Sequence, residues 1–370
     1  MIHKTRLALA LLLALAPICS ALAQEVPTPA AAVPINAADR TAVVAGLAAV
    51  LQVNYVFPDV AARVSKALAA KNAKGGYSTA SNADTFSDAL SKDLRDLGQD
   101  AHFRVAYARG YVPRHDTLGD APPPKEELDA MQREIARAGY GLQRVERLEG
   151  NVGYIEVRGF GPTAMVGAAM ASAMQLLSGT DAMILDLRRN GGGEPESVAF
   201  LLSHFFDAAD RRHLNDIYTR PTGKTQQYWT DAAVRTHYTR PVYVLTSGRT
   251  FSGGEECAYD LQTQKRAILV GEVTGGGANP GDDFAIGHDF VAFVPTGKSI
   301  NPVTHTNWEH VGVKPDLAVP AADAQKTAYA AALRTLVAEA KDPDEKTALA
   351  GTLHKVETGT LDAPNYSAHQ

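Results

Sequence analysis

Ser252 is the residue of this chain best placed for nucleophilic chemistry. It lies in Thr250–Phe251–Ser252–Gly253–Gly254–Glu255–Glu256, after an apolar β-branched run, Val242–Leu245. A helical pattern carrying Cys257, Ala258, Leu261 and Gln262 follows. The order reads as strand, tight turn, helix, with Ser252 at the first turn of the helix. Unpaired backbone N–H groups and the positive helix end face a hydroxyl there, so an anion forming at that point is stabilised. Gly253 and Gly254 let a substrate carbonyl come close to the backbone. The plainer alternative is that Ser252 only caps the helix, with Glu255 completing a capping box.

Three other stretches carry candidate groups. In Ile184–Gly193 a buried strand ends in Asp186, Arg188, Arg189 and Asn190, then in Gly191–Gly192–Gly193. Successive glycine amides can form an oxyanion nest. A phosphate loop fits poorly, because no Gly-Lys-Ser/Thr follows. Asp186 and Arg188 read as residues that shape the loop. Trp308 and Glu309 precede a turn with Gly312 and Pro315. A buried carboxylate there can orient a histidine; the bland reading is a surface turn with an ordinary glutamate. His102, in Asp100–Ala101–His102, lies where a helix stops at Gly98 and the alternation Phe103–Tyr107 begins. Such a junction suits a catalytic base, though on local evidence alone a surface or helix-cap histidine is the better reading.

The elements that must hold these groups are legible from periodicity. Apolar strands (Val152–Val157, Ala182–Leu187, Val242–Leu245, Ala267–Val270) alternate with helices (165–177, 196–206, and the one after Ser252). That alternation implies an α/β layer fold with a mostly parallel sheet. Upstream, 39–110 reads as a small helical domain: Val43, Leu47 and Leu51, then Val60, Val64 and Leu68, then Phe86, Leu90 and Leu94 have helical spacing. Residues 111–138 read as a linker and 139–340 as the α/β domain. Within it 207–235 reads as a polar surface connection. Residues 341–370 read as a polar, partly disordered tail. The stretch between His102 and Val152 is too short for a typical inserted recognition domain, and no PDZ domain is evident.

The first residues have the form of a secretory signal. A basic start (His3, Lys4, Arg6) leads into Leu7–Pro17, and Ala21–Leu22–Ala23 offers a cleavage site. The apolar run is too short to span a bilayer. Ile18 before Cys19 argues against a lipoprotein. Cleavage after Ala23 leaves 347 of 370 residues, beginning with a flexible Ala/Pro-rich leader over 24–38. Cys257 is then the sole cysteine, so no internal disulfide forms, and the thiol reads as a buried small hydrophobe rather than a nucleophile. Net charge is −5 with no basic block, which argues against nucleic acid as a partner. No metal is expected, because the histidines and carboxylates lack ligand spacing.

Taken in order, the stretches Asp186–Gly193, Thr246–Glu255, Val270–Gly277 and Trp308–Asp316 resemble the tail-specific, or C-terminal processing, peptidase family. The likeness runs from about Asn54 to Ala324. It is nearest to the branch holding interphotoreceptor retinoid-binding protein and the tricorn-type proteases. The resemblance implies a ClpP/crotonase-like βα core behind the helical domain. It implies Ser252 as nucleophile, and an oxyanion hole from the N–H of Gly253 with that of Gly191 or Gly192. One branch pairs its serine with a lysine in the loop after Gly-Glu-x-Thr. Here that loop is Gly275–Gly276–Gly277–Ala278–Asn279, and Lys265 lies elsewhere. The tricorn-like pattern instead makes His102 the base and Glu309 its orienting partner. Ala101 stands where that pattern has a serine, so a fourth, assisting member has no counterpart.

The expected function is that of a secreted, periplasmic serine endopeptidase acting on unfolded or C-terminal peptide segments without a cofactor. Ser252, His102 and Glu309 make chemical sense together: the base activates the hydroxyl, then protonates the leaving amine, and the carboxylate holds the tautomer. The alternatives are a non-catalytic module of the same fold that binds a retinoid or other hydrophobic ligand, and a serine esterase. His288, His305 and His310 are rival bases.

Overall fold

Strands Val152–Val157 (β3), Ala182–Asp186 (β4) and Val242–Thr246 (β7) are buried along their whole length, as continuous apolar runs require of strands covered on both faces. They form the middle of a six-stranded sheet in the computed structural model, which describes residues 32–111 and 124–361. The sheet runs β12 (Leu317–Ala318), β8 (Ile268–Gly271), β7, β4, β3, β2 (Leu142–Leu148). Only β2 is antiparallel to its neighbour. The secretory segment over 1–23 and the leader up to residue 31 lie outside the described residues.

Helices cover both faces. Thr163–Leu177 (α5), Pro195–Ser203 (α6) and Gly253–Thr263 (α7) pack on one, where Met170, Met174, Val198, Leu202 and Leu261 meet Ile155, Leu185 and Val244. Ala324–Glu339 (α8) and Pro343–Thr358 (α9) cover the other, where Ala328, Leu333, Leu349 and Val356 meet Tyr154, Ile184 and Leu245. The expectation of a polar tail over 341–370 is corrected by α9. Its apolar stripe is narrow (Leu349, Thr352, Val356 buried in a polar helix), Asp342 caps its start and Gly359 ends it in the left-handed region.

Two further expectations change. Part of the linker over 111–138 is a helix, Lys125–Arg137 (α4), which buries no residue fully and rests Ile135 on the core. The connection over 207–235 holds two strands, His213–Thr219 (β5) and Lys224–Trp229 (β6), that pair with Gly297–Ile300 (β11). β6 is largely exposed, so its polar sequence carried no core signal.

The helical unit is Ala37–Asn54 (α1), Pro58–Ala73 (α2) and Ala83–Gly98 (α3). Asn36 and Asn82 cap α1 and α3, and Pro58 opens α2. Gln99 takes the left-handed conformation (φ 57°) and turns the chain into Asp100–His102 and then strand Arg104–Tyr107 (β1). β1 pairs antiparallel with Phe290–Pro295 (β10), which pairs with Gly281–Gly287 (β9). The unit therefore shares its core with this hairpin: Leu47, Phe86, Leu90 and Phe103 pack with Ile286, Phe290 and Val294. Arg220 adds a polar tie, donating to the Tyr55 and Gln52 carbonyls at 2.6 and 2.8 Å.

Leu185 is fully buried in the middle of β4. Leu185→Ala removes apolar contact and leaves a cavity the rigid sheet cannot close, and should cost about 2–5 kcal/mol in urea unfolding.

Candidate active site

The loops after β4 and β7, two adjacent parallel strands, meet at their carboxyl ends, where open α/β sheets place ligand sites. They are stitched together by Thr250 Oγ1 to the Leu187 carbonyl (2.8 Å), Ser247 Oγ to the Arg188 carbonyl (2.6 Å) and Phe251 N–H to the Asn190 carbonyl (3.0 Å). Asp186 accepts from Arg188 and Tyr154, each at 2.6 Å, and so fixes the start of the first loop. Ser252 precedes α7 with φ 53° and ψ −123°, a conformation a non-glycine residue adopts only when its surroundings impose it. Gly192 (φ 101°) lies against it: a Cβ there would be 2.7 Å from the Ser252 Cβ.

Glu255 is fully buried on the first turn of α7. Its carboxylate accepts from the N–H of Ser252 (2.9 Å), Thr274 Oγ1 (2.5 Å) and the N–H groups of Gly276 (2.6 Å) and Gly277 (2.8 Å). Burial raises its pKa and these hydrogen bonds oppose the rise.

The 274–279 loop lies between His102 and Phe251, the residue before the serine, and also holds Glu309. A Cβ on Gly277 would lie 2.4 Å from the Phe251 ring and 2.7 Å from Cε1 of His102. The His102 ring packs on Phe251 at 4.5 Å between centroids, and neither of its nitrogens has a hydrogen-bond partner. Glu309 Oε2 accepts from the Ala278 N–H (2.5 Å), while Oε1 has no partner. Trp308 donates to the Gly277 carbonyl (2.7 Å) from a fully buried position and so sets where Glu309 sits. His102 and Glu309 thus flank one short loop without bonding to each other.

Two family models match the chain: peptidase family S41 over residues 151–319, and the N-terminal domain of peptidase S41 in eukaryotic IRBP over residues 28–138. The chain belongs to peptidase family S41. It is similar to carboxyl-terminal-processing peptidase 1 of Arabidopsis thaliana, a chloroplast protein, at 28% identity over 189 residues, 50% of this chain and 38% of that relative. It is also similar to the carboxyl-terminal-processing protease of Synechocystis sp., at 33% identity over 169 residues, 45% of this chain and 37% of that relative. The matches thus span less than two fifths of these relatives. Mature CPAF shares the fold, with a TM-score of 0.53, 13% identity and coverage of 87% of this chain and 96% of that one.

Within this S41 fold the amides nearest the serine differ from the pair expected from sequence. Gly191 N–H donates to the Arg158 carbonyl (3.2 Å) and Gly192 N–H to Asn190 Oδ1 (2.8 Å). Asn190 is itself fully buried and anchored to the Val157 carbonyl. Among the described residues the amides of Gly253 and Gly193 have no protein acceptor, and a Cβ on Gly253 would lie 3.1 Å from the Gly193 nitrogen. A cavity of about 40 Å³ opens beside Ser252 and Gly253, with Pro195, Ile217, Ala278, Pro280 and Trp308 among its walls.

The rival histidines stand apart from the serine loop or at its rim. His288 sits 3.5 Å from Asp39, His305 is exposed, and His310, 57% exposed in its side chain, has Nδ1 3.6 Å from Glu309 Oε1. Sequence reading missed Gly193, Asn190, Phe251 and Asp100 as members of this neighbourhood. Asp100 is buried, and its Oδ1 lies 3.5 Å from His102 Nδ1. Among the described residues no group of three His, Cys, Asp or Glu side chains is placed to hold a metal ion. No described helix is long and apolar enough to cross a membrane.

Burial, and then the charge of Asp100, push the pKa of Glu309 up to about 8. The folded protein therefore holds a proton between roughly pH 4.5 and 8 that the unfolded chain releases, so stability falls as pH rises through this window. Glu309→Gln should flatten that fall by up to a few kcal/mol, read as the difference between wild-type and variant unfolding free energies at pH 5 and pH 8.5.

Proposed function

We propose that the chain is a serine peptidase that cleaves unfolded or C-terminal peptide segments, with Ser252 as nucleophile and His102 as general base. The observation that carries this reading is Ser252 held at positive φ at the start of a helix beside two unpaired amides. A merely capping serine has no need of such a constraint. In the proposed reaction His102 takes the Ser252 proton as Oγ attacks the scissile carbonyl. The amides of Gly253 and Gly193 receive the oxyanion, a contribution of roughly 3–4 kcal/mol per donor. His102 then protonates the leaving amine, and water, activated by the same ring, releases the acyl group. The acid partner of His102 comes from the buried carboxyls Asp100 and Glu309. Both relatives named above are carboxyl-terminal-processing enzymes, which supports peptide C-terminal segments as the substrate class.

The cavity beside Ser252 fits the side chain before the scissile bond. At about 40 Å³ it suits a small side chain such as that of Ala, Ser or Val better than a large one. A retinoid or fatty acid needs a pocket of roughly 300 Å³ or more. The secretory form of residues 1–23 supports action outside the cytoplasm, in the periplasm of a host with two membranes.

The test incubates purified mature protein and Ser252→Ala with a reduced, unfolded protein and reads product termini by mass spectrometry. Wild type should cleave with Ala, Ser and Val enriched at the new C-termini. Ser252→Ala should lose roughly 10⁴–10⁶-fold in kcat. Equal cleavage by both would remove Ser252 from the mechanism.

A further inference from the structure

Two buried carboxyls share the neighbourhood of His102, and they are not equivalent. We infer that Asp100, and not Glu309, is the carboxylate that positions His102; the inference rests on the serine-peptidase reading and assigns a further residue to the same site.

Asp100 is 1% exposed. Its Oδ1 accepts the backbone N–H of His102 at 3.0 Å and lies 3.5 Å from Nδ1 of the same residue. One oxygen thus faces both the main chain and the ring of the base, across a two-residue turn that Gln99 fixes at the end of α3. Oδ2 accepts from Asn279 Nδ2 at 2.9 Å and from the Tyr55 hydroxyl at 3.4 Å. These donors replace the hydration that burial removes from the carboxyl and fix its orientation. Tyr55 is held far above its ordinary pKa by burial and then by the charge of Asp100, so it remains a donor.

Glu309 has the opposite surroundings. It accepts one backbone N–H, its other oxygen has no partner, and the histidine nitrogen in contact range belongs to His310, not His102. Burial, then the charge of Asp100 and to a lesser degree that of Glu255, push its pKa up to about 8, so at neutral pH it mostly holds a proton. A neutral acid cannot supply the charge that stabilises an imidazolium. With Nδ1 turned to Asp100, Nε2 is the nitrogen left for Ser252, which is the tautomer a general base needs. The 3.5 Å separation is that of a resting site; such contacts shorten in complexes with substrate.

The experiment is ¹⁵N NMR of histidine-labelled mature protein, with His102→Ala used to assign the His102 ring. Wild type should show a proton on Nδ1. Glu309→Gln should keep that signature and Asp100→Asn should lose it. In peptide cleavage Asp100→Asn should lower kcat about 10³–10⁴-fold with KM changed only a few-fold, and Glu309→Gln should lose at least tenfold less. Asn279→Ala removes a clasp but leaves the carboxylate, and should keep the Nδ1 proton even if Asp100→Asn does not fold. Loss of the Nδ1 proton in Glu309→Gln, or its survival in folded Asp100→Asn, overturns the assignment. The tautomer is read without turnover, so a wild-type protein that cleaves nothing refutes the peptidase reading and leaves this one to be decided by the spectra.

Discussion

The Glu255 carboxylate is the interaction on which the rest of the site depends. Taking a carboxyl out of water costs several kcal/mol unless donors replace the lost hydration. Four donors do so here: the N–H of Ser252, Thr274 Oγ1 and the N–H groups of Gly276 and Gly277. They come from two segments that would otherwise have no reason to stay in register. One is the strained turn that presents the serine. The other is the glycine loop that touches His102 and Phe251 and holds Glu309 through Ala278. Helix capping and site assembly are therefore not rival readings of Glu255, because the same hydrogen bonds perform both.

The site is also a seam between two parts of the fold. Ser252 belongs to the α/β core, whereas His102 arrives from the helical unit on the turn between α3 and β1. Pairing of β1 with β10, the shared packing around Phe86 and Phe290, the Arg220 tie and the Asp100–Asn279 hydrogen bond close that seam. All are contacts between residues far apart in sequence. Opening of the seam alone would separate His102, the proposed base, from Ser252, the proposed nucleophile, while leaving the central sheet intact, so the placement of His102 is set by tertiary packing rather than by any local preference.

How much of this was legible in the sequence follows from the range of each signal. Continuous apolar runs such as Ala182–Leu187 announce buried parallel strands, and a strand followed by Gly-rich turn and helix places Ser252 without tertiary knowledge. β5 and β6 escaped because an exposed hairpin needs no apolar pattern. α9 escaped because three buried positions in sixteen residues leave a weak period. The amide proposed for the oxyanion is that of Gly193 rather than Gly191 or Gly192, because a buried asparagine side chain and the Arg158 carbonyl accept from the other two. No spacing rule within a triple glycine reveals which amide another segment will use. Asp100 was visible beside His102, but its burial depends on Tyr55 and Asn279, respectively 45 and 179 residues away.

The charge pattern explains why a histidine suits this site better than a lysine. Asp100, Glu255 and Glu309 are buried within it, and among the described residues no lysine or arginine forms an ion pair with any of them. Burial raises the pKa of Glu255 and Glu309, and for Glu255 the four donors oppose that rise. An amine introduced into the Gly275–Asn279 loop would face these acids and be held in its ammonium form, with no lone pair to accept the serine proton. An imidazole meets the same field differently. Under the proposed mechanism the neighbouring negative charge is felt mainly when the ring becomes an imidazolium in the transition state, so acidic surroundings that would disable a lysine would lower the barrier for a histidine.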